Sequence, residues 1–354
     1  MKKRVTMREI AGKVNLSINA VSLALNDRAG VSEETRRLVL NAAEETGYLD
    51  QSAKYAASYS NKNICILLED RFFKDMQFYG RILLGLEEAA KKAGYDLFIN
   101  SFEKNHEIPA CVEQHKVSGL IVVGKIDEEY LRSLKGYSIP VLLLDHESVE
   151  TPTDCVMTNN AAGAYKLTKY LLDRGFKKIG FFGDLKYTPS IRERFWGYQE
   201  AMQQHLDFPS FEEGISYIRR YSVLSKVEEA VINQDAASLA AFYQTLGEQP
   251  DALICSNDKL AILMCKALSQ CGLKVPDDIS IVGFDDIELS NMVAPRITTM
   301  RVDKVLMGKK AMECLLKSME KPRGKVEKLV LDVQLIERDS VSGDCLPELK
   351  KFPV

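Results

Sequence analysis

Beyond residue 62 the chain alternates between two kinds of pattern. Short apolar runs recur at 64–68, 95–99, 120–123, 141–144, 179–182, 253–255 and 279–284, each of the length of a buried strand. Amphipathic, helix-like segments separate them at 80–93, 159–174, 193–205, 258–271 and 303–319. Strands alternating with helices predict parallel sheets with helices on both faces. The run from 63 to 340 is long for a single core, so two α/β lobes are expected. Only the stretch 205–250 is loosely patterned.

Before residue 49 the periodicity is that of short helices. Thr6-Met7-Arg8-Glu9 has the form of a capping box, in which hydroxyl and carboxylate satisfy the free amides of a helix start. Ile10, Ala11 and Val14 then supply an apolar face. Asn15 tolerates the left-handed conformation that a tight turn needs. Ser17 is placed to cap a second helix carrying Val21, Ala24 and Leu25 inward. After a loop at 26–30, Ser32 caps a third helix, with Glu33 and Glu34 where the dipole favours acids. Leu38, Val39 and Ala42 are read as its core face and Gly47 as its end. Two short helices joined by a three- or four-residue turn form a helix-turn-helix, whose second helix can enter a DNA major groove. Pattern alone fits a small helical core with no ligand equally well.

Composition narrows the classes. The 354 residues are 46% hydrophobic and 27% charged, with a formal net charge of −3, as in ordinary globular proteins. Residues 1–60 hold nine Lys/Arg against seven Asp/Glu, a net +2 that leaves −5 for the rest. A small basic head on an acidic body suits local phosphate contact. The eight cysteines form no CxxC pair and the four histidines have no metal-ligand spacing, so neither a disulfide framework nor a metal site is expected. No membrane span and no signal peptide are read, which points to the cytoplasm. GxGxxG and GxxxxGK[ST] are absent, against a dinucleotide or nucleoside-triphosphate enzyme. No Ser/His/Asp order stands out either; no catalytic residue, cofactor or metal is expected.

The head carries a specific resemblance. Thr6-x-x-x-Ile10-Ala11-x-x-Val14-Asn15-Leu16-Ser17-x-x-Ala20-Val21-Ser22-x-Ala24-Leu25-Asn26, then Val31-Ser32-x-x-Thr35-Arg36 and Gly47-Tyr48, resembles the LacI/GalR family of bacterial repressors in spacing as well as residue type. That resemblance places base-reading roles at Ile18, Asn19 and Leu23. Asn19 can bond base edges and Ile18 can press on a thymine methyl. Leu23 replaces the arginine common there, removing a bidentate guanine contact. Thr6, Ser17, Ser22 and Asn26 fit phosphate-positioning roles, alongside capping for Thr6 and Ser17.

The body resembles the same family, whose two-lobed fold is like that of periplasmic sugar-binding proteins. Val156-x-x-Asn159-Asn160-x-x-Gly163-Ala164 matches with Asn159 in place of the usual aspartate. Ser190-x-x-x-Arg194-x-x-Gly197, Ser256-Asn257-Asp258-x-x-Ala261, Gly272-x-x-Val275-Pro276-Asp277-Asp278-Ile279-Ser280-Ile281-Val282-Gly283-Phe284-Asp285-Asp286 and Pro295-x-x-Thr298-Thr299 match more closely. Open α/β sheets bind ligands beyond the carboxyl ends of their strands, where Asp145, Asp184, Asn257, Asp285 and Asp286 all fall. The resemblance implies effector contacts at Phe78, Tyr79, Asp145, Ser190, Arg194, Asn257 and Asp285. This set suits a polyhydroxylated or anionic molecule, with Arg194 as a bidentate clamp. Phe78 and Tyr79 equally fit a core role, and Arg194 a pairing with Glu193 or Asp184.

The expected organisation is a helix-turn-helix domain at 1–48, a hinge at 49–62, a two-lobed α/β effector and dimerisation domain at 63–340, and a tail at 341–354. In the hinge, Asp50-Gln51 replace the family's Pro-Asn pair and Ala57 stands where relatives carry a groove-wedging leucine. Alanine is too short to prise apart a base step; Lys54 can attract phosphate and Tyr55 can support the segment, or the whole can be a plain tether. The tail has two prolines and no heptad run, so a homodimer rather than a coiled-coil tetramer is expected. The implied partners are double-stranded DNA, as a near-palindromic operator, and a small effector, a sugar or sugar derivative. A sugar-binding module or sugar-acting enzyme on the same α/β body is the competing class.

Overall fold

In the computed structural model, residues 6–25, 30–46, 48, 62–73, 75–103, 107–320 and 325–343 are described. Asn26, Gly47, the hinge positions Lys54, Tyr55 and Ala57, and tail residues 344–354 lie outside them.

Three helices, α1 (Met7–Val14), α2 (Ile18–Leu25) and α3 (Glu33–Glu45), pack around Ile10, Ala11, Val21, Ala24, Val39, Ala42 and Ala43. The capping box forms: Glu9 N–H donates to Thr6 Oγ1 at 3.3 Å and Thr6 N–H to Glu9 Oε2 at 2.8 Å. Asn15 is left-handed, with φ 54° and ψ 45°, and its N–H donates to Ala11 O. Ser17 Oγ accepts from Ala20 N–H at 3.1 Å, capping α2. One expectation for α3 needs correction. Leu38 is 53% exposed; the buried stripe runs through Val39, Ala42 and Ala43, and a residue one position earlier is turned about 100° off it. The helix runs to Glu45 and is capped by Thr46, whose hydroxyl and N–H both bond Ala42 O; Gly47, read as its end, lies outside the described residues.

The body's first sheet holds β1 (Asn63–Glu69), β2 (Asp96–Phe102), β3 (Gly119–Val123), β4 (Val141–Leu144), β5 (Asp154–Thr158) and β10 (Lys328–Leu331), in the order β10-β5-β4-β3-β1-β2 and all parallel. Its second holds β6 (Ile179–Phe182), β7 (Ala252–Cys255), β8 (Ser280–Asp285), β9 (Thr298–Arg301) and β11 (Gln334–Ile336), in the order β11-β9-β8-β7-β6. There β11 runs antiparallel to β9, a departure from purely parallel sheets. Sequence patterning missed β5, β9, β10 and β11, which are short or edged with polar residues.

The helices of the body are α4 (Asp70–Phe73), α5 (Tyr79–Ala93), α6 (Ala110–Glu113), α7 (Glu128–Lys135), α8 (Asn160–Leu172), α9 (Pro189–His205), α10 (Phe211–Arg220), α11 (Val227–Ile232), α12 (Ala236–Gln244), α13 (Asp258–Gln270) and α14 (Lys304–Glu320). Alternation along β1 separates the faces of the first sheet. Ile64, Ile66 and Leu68 pack with Ile82 and Leu86 of α5 and Met312 and Leu315 of α14; Cys65 and Leu67 pack with Val112 of α6 and Leu131 and Leu134 of α7. In the second sheet Phe181 and Ile254 meet α8 and α9, while Phe182, Leu253 and Cys255 meet α11, α12 and α13. Two helix pairs cross so closely that only glycine fits. A Cβ at Gly197 of α9 would lie 1.9 Å from Ala161 O of α8, and one at Gly308 of α14 would lie 2.2 Å from Ile82 O of α5.

The chain passes between the two sheets three times: from β5 into α8, from β9 into α14, and from β10 into β11. A cleft lies between the lobes, lined by strand ends.

Candidate functional site in the interlobe cleft

All seven residues singled out in the body line one cavity of about 120 Å³. Asp145 follows the carboxyl end of β4 in a left-handed conformation, φ 62°, and its amide donates to Val156 O at 2.9 Å. Its carboxylate accepts from Tyr79 Oη at 3.3 Å. Tyr79 opens α5, its ring packed 4.9 Å from Phe78 and 5.0 Å from Phe72. Phe78 and Tyr79 are thus at once core and cleft wall. Their rings are buried, yet both face the cavity.

The opposite wall is built on α9. Thr188 caps that helix through the amide of Ile191 and shares a 2.8 Å hydroxyl bond with Ser190. One turn on, Arg194 is buried and largely engaged within the protein. Nε donates to Asn160 Oδ1 at 2.9 Å, Nη1 to Ser256 O at 2.6 Å and Nη2 to Asp285 Oδ1 at 2.9 Å; the guanidinium lies 3.8 Å above the Phe284 ring. Of the five N–H groups of an arginine, two are left for anything else. The alternative pairings do not form: Glu193 accepts from Asn160 Nδ2, and Asp184 accepts from the amides of Lys186 and Lys226. Asn257 caps α13, accepting from Leu260 N–H at 2.9 Å.

Asp285 ends β8 with φ 106° and is followed by Asp286 with φ 50°, two successive residues in a region that non-glycine residues seldom occupy. Lys304, opening α14, donates its ammonium protons to the carbonyls of Asp285, Asp286 and Val302, holding that turn. Burial pushes the Asp285 carboxyl above the usual range although Arg194 and Lys304 pull it down. Burial likewise raises Asp145 to about 7. Asp258 is pushed to about 8; its carboxylate accepts from Thr299 Oγ1 at 2.6 Å and Ile287 N–H at 2.9 Å, a bracing role behind the cleft. For Asp286, burial is outweighed by hydrogen bonds from Arg301 and Arg338, and its carboxyl lies below the usual range.

Sequence reasoning missed the residues that bridge the mouth. Lys259 Nζ of α13 pairs with Asp75 Oδ1 at 2.8 Å. The Arg71 guanidinium lies 5.1 Å from the Tyr187 ring centroid, with Glu69 2.8 Å from its Nε. Thr188 alone carried a signal, a capping threonine before Pro189. Among the described residues no cluster of His, Cys, Asp or Glu is arranged to hold a metal, and no helix is long and apolar enough to cross a membrane.

In the head, Ile18 is 45% exposed and Asn19 is exposed beside it at the start of α2. Leu23 is only half-exposed; its Cδ1 lies 3.3 Å from where a Cβ on Gly30 would stand. Thr6 and Ser17 are exposed helix caps and Ser22 is half-buried.

Comparison with known proteins accounts for both parts. Residues 6–51 match the model for bacterial regulatory proteins of the lacI family, and residues 168–341 the periplasmic binding protein-like domain. The HTH-type transcriptional repressor PurR of Photobacterium profundum is 27% identical over 343 residues, covering 95% of this chain and 98% of the relative. Two solved structures share the fold. One is the lac repressor dimer bound to operator and the anti-inducer ONPF, with TM-score 0.66, 23% identity, and coverage of 96% of this chain and 100% of that one. The other is a LacI family transcriptional regulator from Enterococcus faecium with bound ribose, with TM-score 0.68, 20% identity, and coverage of 80% and 100%. The chain belongs to the LacI family of bacterial regulatory proteins, DNA-binding transcriptional repressors rather than enzymes.

Proposed function

We propose that this repressor's hold on its operator is set by a sugar or sugar derivative bound between the lobes. The observation that carries the reading is the convergence of Phe78, Tyr79, Asp145, Ser190, Arg194, Asn257 and Asp285 on one cavity from both lobes. Carboxylates, hydroxyls, an amide and aromatic faces are the groups that recognise a polyhydroxylated ring. The ribose bound by the Enterococcus faecium regulator supports the same class. In the head, Ile18 and Asn19 read base edges, with Leu23 contributing its exposed part, while Thr6, Ser17, Ser22 and Asn26 meet phosphates. Closure of the lobes on the effector changes the spacing of two heads in a homodimer on a near-palindromic site. The protein works in the cytoplasm, and its head, hinge, body and tail divide at 48, 62 and 340.

For dimerisation, β2 is the natural surface. It is the outer strand of the first sheet, with Phe98 and Ile99 exposed, and Leu84 is exposed on α5. An open edge with apolar side chains invites a second chain.

Electrophoretic mobility of upstream promoter DNA, with and without candidate sugars, tests the reading. A shift that one sugar changes is expected; failure to retard any near-palindrome overturns it. The same sugar raises Tm by selective binding to the native state, and Arg194→Ala abolishes that rise while DNA binding persists.

A further inference from the structure

The charges around the cavity are paired in a way that specifies the ligand, given that the cleft is the effector site proposed above. Arg194 is matched by Asp285 at 2.9 Å, Lys259 by Asp75 at 2.8 Å, and Arg71 by Glu69 at 2.8 Å. Each cation lining the cavity thus has a carboxylate of the protein's own. Asp145 has no ion pair: among the described residues its carboxylate accepts a hydrogen bond from the neutral hydroxyl of Tyr79, and the cation that acts on it, Arg194, is already paired with Asp285. Its left-handed turn at the end of β4 holds the group at the cavity wall. The lining itself is balanced, Arg71, Arg194 and Lys259 against Asp75, Asp145 and Asp285, but because Arg71 is paired with Glu69 outside the lining, Asp145 is the lining carboxylate left without an ion pair. A buried carboxylate without one is costly unless the incoming molecule supplies hydrogen-bond donors or a positive charge. An anionic ligand supplies neither, and would meet Asp145 and Asp285 across a poorly screened gap.

We infer that the effector carries no negative charge and is a polyhydroxy compound, neutral or amine-bearing; the cleft discriminates against sugar acids and sugar phosphates. Hydroxyl donors satisfy Asp145 as an acceptor, and Ser190 and Thr188 offer donors and acceptors from the facing wall. With Asp145 at about 7, the carboxylate is mostly ionised at pH 8, where the discrimination is read.

The test is calorimetric titration and thermal shift of the full chain at pH 8 with matched probes: glucose, glucosamine, gluconate, glucuronate, glucose 6-phosphate and ribose. Wild type is compared with Asp145→Asn, which removes the charge and keeps a residue tolerant of the left-handed turn, and with Arg194→Ala. In wild type each anionic probe is expected to bind at least tenfold more weakly than its neutral parent. Asp145→Asn should narrow that ratio by about tenfold. An anionic probe that binds wild type more tightly than its neutral parent overturns the inference, as does an unchanged ratio in Asp145→Asn. If no sugar of any class binds wild type, it is the sugar reading of the site that fails. The charge inference is then decided with sulfate and citrate. Saturable stabilisation gained by Asp145→Asn and lost on adding Arg194→Ala supports it; the absence of any gain overturns it.

Discussion

Asp145 is held where its charge is poorly tolerated, and this has a measurable signature in stability. Burial raises its carboxyl from 3.8 to about 7; Arg194 and the Tyr79 hydroxyl pull it down, while Asp285 and Glu193 push it up. A folded-state value above the unfolded one means that stability is lost as pH rises from about 4 to about 7. Asp145→Asn is expected to raise Tm very little at pH 4 and most at pH 8; calorimetry that finds the same gain at both would exclude titration as the cause. Arg194→Ala acts in the opposite direction, because Asp285 then stays buried without its guanidinium. Breaking a buried pair costs about 3–5 kcal/mol, and urea denaturation should show a loss of that order. Asp145, Arg194 and Asp285 are legible in the sequence because each follows an apolar run or sits in a spaced motif. Arg71, Asp75 and Lys259 are not, since charged residues on helix starts and turns look like any solvated face. Only the approach of two lobes turns them into a bridged cleft mouth.

At the scale of elements, close helix crossings set tolerance to substitution. Gly308→Ala would place a methyl group 2.2 Å from a backbone carbonyl of α5, which no side-chain rotamer can relieve. Overpacking of this kind costs about 1–3 kcal/mol. Gly247→Ala, with nothing within 4 Å, should change stability by less than about 0.5 kcal/mol; denaturant midpoints of the two variants make the comparison. The long helices of the body are legible because each buries one continuous stripe against a sheet. Helices α10, α11 and α12 blur together in the pattern, since Val227–Ile232 is a single short piece that buries the charged Glu228 and exposes the apolar Ile232. The starts of α10 and α12 are nevertheless marked by Ser210 and Asp235, which accept from the amides of Glu213 and Ser238, whereas α11 has no side-chain cap. Leu38 shows the opposite error, an apolar residue assigned inward by type although its phase on α3 turns it outward.

For the whole molecule, the exposed edge of β2 predicts how assembly fails. Ile99→Asp places a charge on that edge and should shift sedimentation from dimer to monomer at micromolar protein, with a far-ultraviolet spectrum like the parent's. An unchanged dimer would move the interface elsewhere. Three passages between the sheets also order events on the ribosome. The helical head is complete by residue 45 and is free to fold as soon as it emerges, as N-terminal units generally do. The first lobe begins next but waits longest, because its edge strand β10 starts at Lys328, after the second lobe's helices and all its strands but β11 have been made. During that interval the β5 edge of the first sheet is open. A chain released a few dozen residues early thus carries a finished DNA reader on a body in which neither sheet has its last strand, and quality control must deal with a reader that has lost its regulator.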